Sequence, residues 1–243
     1  MAADRSESLR VAVSRSSRGL LAAVEPWRAG LEFAALGIST LPLALAPRGD
    51  GHRVLVLPGL GASDASTVVL RRYLQFLGYE SLPWELGRNL GFNRCWPALQ
   101  ERFLDLLEAA AADGREVSLV GQSLGGTMAV RLALQHGTQV RSVITLGSPV
   151  PAAPADSALA VRNVYRRWND DSARMTNIFS RTDGVVPWQV ARRDGGDVEA
   201  IEVHGSHFGM ALNAGVLYAV ADRLAAVDGR TFKAPLLLQG YFP

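Results

Sequence analysis

The residues best suited to chemistry begin with Gly121-Gln122-Ser123-Leu124-Gly125, which matches G-x-S-x-G. The pentapeptide lies between an apolar run, Val117 to Val120, that reads as a strand, and a segment from Leu124 to Gln135 that reads as a helix. A serine on a tight strand-to-helix turn is held in a strained conformation with its hydroxyl projecting, and Gly121 and Gly125 remove side chains that would clash there. The helix that follows points its positive end at the site, which favours developing negative charge. Three fixed positions in five recur by chance, so the strand and helix on either side carry much of the argument. The competing reading is a phosphate-binding glycine turn. Against it, the chain has no G-x-x-x-x-G-K-[ST] and a single lysine, Lys233.

A serine hydroxyl attacks only when a base takes its proton. The chain has four histidines, His52, His136, His204 and His207. Catalytic groups of open α/β sheets gather beyond the C-terminal ends of the strands. His52 precedes the first core strand, and His136 ends the helix after Ser123, where its charge suits a helix C-terminus. His204 and His207 follow a strand ending at Val203. His207 is the expected base, because its loop, Gly205 to Gly209, reaches over the sheet; His204 is the second candidate. Asp183, in the run Ser180 to Pro187 after another strand end, is the expected carboxylate that fixes the imidazole tautomer. Asp170 and Asp171 are its rivals but precede that strand. The order Ser123, Asp183, His207 places acid and base after the nucleophile. The tetrahedral intermediate of acyl transfer needs oxyanion donors. The backbone N–H of Leu124 and that of Leu60, in Pro58-Gly59-Leu60-Gly61, are assigned to that role.

These groups need a scaffold that presents strand ends side by side. Strands are expected at Arg53 to Leu57, Tyr79 to Trp84, Val117 to Val120, Val140 to Leu146, Thr176 to Phe179 and Val198 to Val203. Helices are expected at Ser66 to Leu77, with Asp64 or Ser66 as N-cap, and at Arg94 to Ala112, Leu124 to Gln135 and Ala211 to Val227. This alternation implies parallel βαβ units, with helices on both faces of a sheet of about six strands.

Residues 53 to about 228 resemble the α/β-hydrolase superfamily, and in particular its bacterial esterase- and lipase-like members. The segments VLVLPGLG, LVGQSLGG, VITLGSP, SRTDGVVP and GSHFG carry the resemblance in family order. It implies the α/β-hydrolase fold, a Ser-His-Asp triad of Ser123, His207 and Asp183 with Leu60 and Leu124 at the oxyanion, and no cofactor. Two departures stand out. Pro58-Gly59 replaces the His-Gly of many members, and residues 1 to 50 offer no counterpart of the first two family strands.

The rest of the composition serves to exclude. One cysteine, Cys95, rules out an intrachain disulfide and a cysteine-built zinc site, and four scattered histidines give no metal-ligand spacing. A net charge of +2 argues against a nucleic-acid binder. Residues 1–50 are expected to be a mobile arm to about 18 and then a helical extension, and 51–243 to be the hydrolase domain with a small lid at about 150–174. Leu31 to Ala46 is too short to span a bilayer. Packing of residues 20–46 on the core or a second copy competes with peripheral membrane contact through Leu31, Phe33, Leu36 and Ile38. A cytoplasmic location, with that contact as the alternative, is expected. Trp84, Leu86, Phe92 and Trp188 are the expected pocket lining, although aromatics at such places are more often core. The expected activity is hydrolysis of carboxylic esters of small molecules or lipids. The alternatives are thioester, amide or acyl-transfer chemistry on the same triad, and a binding module without catalysis.

Overall fold

The structure is a computed structural model that describes residues 2–149, 173–193, 198–226 and 230–243, the side chains of residues 2–18 and 138 excepted. Strand β1 (Arg53–Leu57) is buried at every position. Its alternation sends Val54 and Val56 into one hydrophobic core and Leu55 and Leu57 into the other. Five further strands join it: β2 (Glu80–Pro83), β3 (Val117–Gln122), β4 (Val140–Leu146), β5 (Arg174–Phe179) and β6 (Val198–Glu202). All pair in parallel, in the order β2-β1-β3-β4-β5-β6. The order reverses between β1 and β3, which opens a crevice beyond their C-terminal ends.

Parallel pairing requires crossover connections, and helices supply them. Helix α1 (Ala2–Ala35) and the short α2 (Thr40–Ala44) precede the sheet; α3 (Val68–Phe76), α4 (Phe92–Ala112) and α5 (Leu124–His136) alternate with its first strands. A single turn, α6 (Trp188–Ala191), lies between β5 and β6, and α7 (Ala214–Ala225) follows β6. Leu70 and Leu74 of α3, with Val216, Leu217 and Val220 of α7, close one core. Leu99, Phe103 and Leu107 of α4, with Met128 and Leu132 of α5, close the other. The spacing of four along α4 is the stripe a helix needs to face a sheet. Burying a side chain such as Phe103, fully enclosed here, stabilises the fold by about 1.5–3 kcal/mol.

Asp64 does not cap α3. Its carboxylate instead accepts the backbone N–H groups of Trp84 and Glu85, tying the end of β2 to the loop after β1. The last helix, expected from Ala211, starts at Ala214. Asn213 accepts from the N–H of Gly215 and Val216, after a 3-10 turn at Met210–Leu212.

The residues expected as a mobile arm are helical and belong to α1, one helix of 34 residues that runs through Pro26. Its sequence is rich in Ala, Arg and Leu, good helix formers whether or not they make an apolar face. Proline lacks the N–H owed to the carbonyl four residues earlier, which in sequence reads as a stop. Here Glu25 and Arg28, on either side of it, are bonded to the body of the protein. From Gly19 onward, where its side chains are described, the helix turns a charge inward and apolar groups outward. Glu25 is fully buried, while Leu20, Val24, Trp27 and Leu31 form an outward stripe, Trp27 at 73% exposure. Of the four residues expected to face lipid, Leu31, Phe33 and Ile38 are exposed and Leu36 packs inward on the first core. Among the described residues no helix is long and apolar enough to cross a membrane.

Candidate active site

Ser123 stands between β3 and α5 with φ 52° and ψ −124°. A non-glycine residue held there costs about 1–3 kcal/mol and persists only where its surroundings enforce it. The enforcement is visible. The Ser123 N–H donates to the Leu146 carbonyl at the end of β4, at 2.8 Å. A Cβ on Gly121 would lie 2.4 Å from the Gly126 nitrogen, and one on Gly125 would lie 2.5 Å from the Leu57 oxygen. Only glycine fits at either position, so the turn is locked and the serine side chain stays half-buried at the mouth of the crevice.

Asp183 and His207 meet over the neighbouring strand ends. His207 Nδ1 and Asp183 Oδ2 are 2.8 Å apart, and both residues are buried. The other carboxylate oxygen, Oδ1, accepts the N–H groups of Val185 at 2.8 Å and Val186 at 2.7 Å. An acceptor facing Nδ1 assigns the proton to that nitrogen and leaves Nε2 as the basic one. Gln122, next to Ser123, donates its side-chain amide to the His207 carbonyl at 2.9 Å, which ties the His207 loop to the end of β3. Among the described residues the Ser123 hydroxyl is not hydrogen-bonded to His207. Such bonds are commonly long in the absence of substrate and tighten when it binds.

The loop after β1 comes close to the serine, since a Cβ on Gly59 would be 3.3 Å from Ser123 Cβ. The Leu124 N–H opens α5 and therefore has no partner within the helix. Among the described residues the Leu60 N–H is also without an acceptor. Asn89, fully buried, fixes this loop. Its amide donates to the Pro58 carbonyl at 2.8 Å, its own carbonyl accepts from Gly61, and its N–H donates to Ala62. Sequence reasoning did not single out Asn89 or Gln122. A buried amide beside glycine-rich turns was the available signal for Asn89.

The expected pocket lining separates. Trp84 is wholly buried in the second core, with its indole N–H on the Gly87 carbonyl, so it offers no surface to a substrate. Trp188 stacks on Phe179 with Arg181 over its ring, in a small cluster beside β5. Leu86 and Phe92 are half-buried at the edge of the second core, and Phe92 packs on Trp96. The Leu60 side chain is exposed near Gly91, just before Phe92. His204 is exposed, held through its backbone to Tyr241 and Asn213. His136 packs edge-on against Phe103. Asp170, Asp171 and nearly all of the expected lid at 150–174 lie outside the described residues.

A second Asp-His-Ser chain exists and is structural. His52 Nδ1 is 2.5 Å from Asp50 Oδ1, its Nε2 is 3.0 Å from Ser118 Oγ, and Ser118 bonds Ser142 at 2.9 Å. Burial pushes the His52 imidazole below its ordinary value of 6.5 and outweighs the Asp50 hydrogen bond, so the ring is neutral. Burial opposes ionisation of Asp50 too, but hydrogen bonds from His52 and Arg141 hold its carboxyl below the usual range. Ser118 lies five residues before Ser123, roughly 16 Å back along the strand, at the opposite end of the sheet. It is fully buried. Ser118→Ala is therefore expected to leave any hydrolase turnover at Ser123 unchanged, while urea denaturation shows a loss of about 1–3 kcal/mol from the stranded His52 acceptor. A large fall in turnover would move chemistry to that end.

Among curated proteins no match is found. Among solved structures the chain is similar to the monoacylglycerol lipase of Paleococcus ferrophilus, at TM-score 0.54 and 15% identity, covering 72% of this chain and 96% of that one. It is also similar to Est1E of Butyrivibrio proteoclasticus, solved with ferulic acid, at TM-score 0.50 and 12% identity, covering 72% of this chain and 86% of that one. At such identities the likeness is one of fold. The family model for the alpha/beta hydrolase fold matches residues 52–186, more than half of the sequence and the stretch that carries Ser123, Leu60, Leu124 and Asp183. Six parallel strands, a strained serine between β3 and α5 and that match together make the chain a member of the alpha/beta hydrolase fold family.

Proposed function

We propose that the protein hydrolyses carboxylic esters through an acyl-enzyme on Ser123, with His207 as base, Asp183 as its carboxylate partner and the Leu60 and Leu124 N–H groups as oxyanion donors. The observation that carries this reading is the buried His207–Asp183 hydrogen bond, on a loop that Gln122 ties to the strand before a serine held at positive φ. In the first half-reaction Ser123 Oγ bonds to the ester carbonyl carbon while its proton passes to His207 Nε2. The carbonyl oxygen becomes an oxyanion facing the two backbone N–H groups. Collapse breaks the bond to the alcohol oxygen, and His207 returns the proton to that leaving group. A water then repeats the sequence on the acyl-serine: its proton goes to His207, the acid departs, and Ser123 regains its hydrogen. Asp183 stays ionised throughout and stabilises the imidazolium.

The lipase and esterase neighbours support this class through shared fold alone. The outward stripe of Leu20, Val24, Trp27 and Leu31 supports a lipid-surface setting, because α1 also bonds Phe208, an exposed aromatic next to the base.

The test joins a fluorophosphonate probe to a substrate panel. Mass spectrometry is expected to find the probe on Ser123. Turnover is expected to be faster for p-nitrophenyl esters than for acyl-CoA thioesters or anilides, and undiverted by added alcohols. Faster thioester or anilide cleavage, or acyl transfer to the alcohol, assigns the alternative chemistry. Neither labelling nor turnover leaves a binding module. Vesicle co-sedimentation that is equal for wild type and Trp27→Ser removes the lipid setting.

A further inference from the structure

We propose that α1 is a positioning element for the catalytic pair: Glu25, assisted by Arg28 and Glu32, holds the chain on both sides of Asp183 and on both sides of His207. The inference rests on the reading of those two residues as acid and base.

The contacts are specific. Glu25 Oε1 accepts the N–H of Gly184, directly after Asp183, at 2.8 Å. Its Oε2 accepts the N–H of Phe208, directly after His207, at 3.0 Å. One fully buried carboxylate thus joins two loops that lie 159 and 183 residues away in sequence. Arg28 takes the other side of the acid, donating to the Thr182 carbonyl at 2.5 Å and to its hydroxyl at 2.9 Å. It also bridges to Glu25 at 3.2 Å. Glu32 takes the other side of the base, accepting the Ser206 N–H at 2.6 Å. The approach is close enough to dictate residue type. A Cβ on Gly184 would lie 2.6 Å from the backbone of Leu21 and Ala22, so the acid loop can rest on the helix only as glycine.

The chemistry explains the choice of glutamate. A carboxylate has two acceptor oxygens and no donor, so it can take one N–H from each loop. Glutamine has one acceptor, and its NH2 would oppose the second N–H. Catalytic geometry tolerates little drift, and a displacement of about 1 Å can cost a hundredfold in rate. A helix that merely covered the site would not need a buried charge bonded to the residues flanking acid and base.

The experiment uses the full chain and reads the downfield proton NMR resonance of the His207 Nδ1–H bonded to Asp183, together with kcat, KM and thermal stability. In Glu25→Gln the resonance is expected to broaden or vanish, and kcat on a p-nitrophenyl ester to fall about tenfold to a hundredfold with KM little changed. Glu25→Asp, which keeps the charge on a shorter arm, is expected to resemble it. Asp222→Asn is the control for a buried acid, since Asp222 bonds Arg223 and Arg230 at the far end of α7. It is expected to lower Tm while sparing resonance and kcat. Should Glu25→Gln fail to fold, Arg28→Ala, whose side chain is partly exposed, is expected to give a smaller fall in kcat of the same kind. An unchanged resonance and kcat in Glu25→Gln, or in Arg28→Ala where that variant stands in, overturns the proposal. A wild type that shows the resonance but cleaves no ester defeats the proposed function instead, and loss of the resonance in Glu25→Gln still supports the positioning role.

Discussion

Ser123→Ala is expected to lower kcat on p-nitrophenyl esters by about a million-fold, to the level left by substrate binding and the oxyanion donors alone. The effect is large because the step lost is formation of the bond to carbon. The same substitution is expected to leave stability within about 0.5 kcal/mol of wild type. Alanine keeps the Cβ, so the strain of φ 52° remains, and the removed oxygen belongs to a half-buried side chain. The Ser123 N–H to Leu146 bond and the tight packing of Gly121 and Gly125 are untouched. Kinetics and a thermal melt on the same preparation check both halves. Turnover within tenfold of wild type would place the nucleophile elsewhere.

Much of this arrangement could be read from local sequence because it is built locally. The strands are short β-branched runs such as Arg53–Leu57 and Val140–Leu146, buried on both faces, and a parallel sheet allows few other patterns. The serine turn announces itself through two glycines, Gly121 pressed by the backbone of Gly125 and Gly126 and Gly125 by that of Leu57 and Pro58 after β1. Asp183 and His207 stand out in the sequence by their place after strand ends, and the structure puts them 2.8 Å apart. What stayed hidden depends on distant partners. Glu25 and Glu32 look like surface charges on a polar helix, and nothing nearby in sequence says that their acceptors face Gly184, Phe208 and Ser206. Residues 1–18 lack an apolar periodicity, which favoured an arm over the helix that α1 forms. Trp84 follows a strand and so suggested a pocket wall, but its indole N–H finds an acceptor three residues on, at Gly87, and the ring can then be buried entirely.

Asp183→Asn is expected to lower kcat by about ten-thousand-fold, a loss greater than removal of one charge suggests. The reason lies in the other oxygen of the carboxylate. Oδ1 accepts two backbone N–H groups, from Val185 and Val186, and any side chain placed there must turn an acceptor toward them. An asparagine therefore keeps its carbonyl oxygen on that side and presents its NH2 to His207. A donor facing Nδ1 demands a lone pair on that nitrogen, so the proton moves to Nε2. The imidazole then faces Ser123 with an N–H instead of a lone pair and cannot accept the hydroxyl proton. The loss is one of tautomer, with the ring still in place, so KM is expected to change little and fluorophosphonate labelling of Ser123 to slow in parallel with kcat. Asp183→Ala serves as the comparison. It frees the ring to choose its tautomer but strands the Val185 and Val186 N–H groups, so it is expected to be the less stable variant and no worse a catalyst. Activity of Asp183→Asn within tenfold of wild type would mean that the His207 tautomer is set by another group, and the contacts of Glu25 and Glu32 with the same loops would then need a purpose other than aligning this pair.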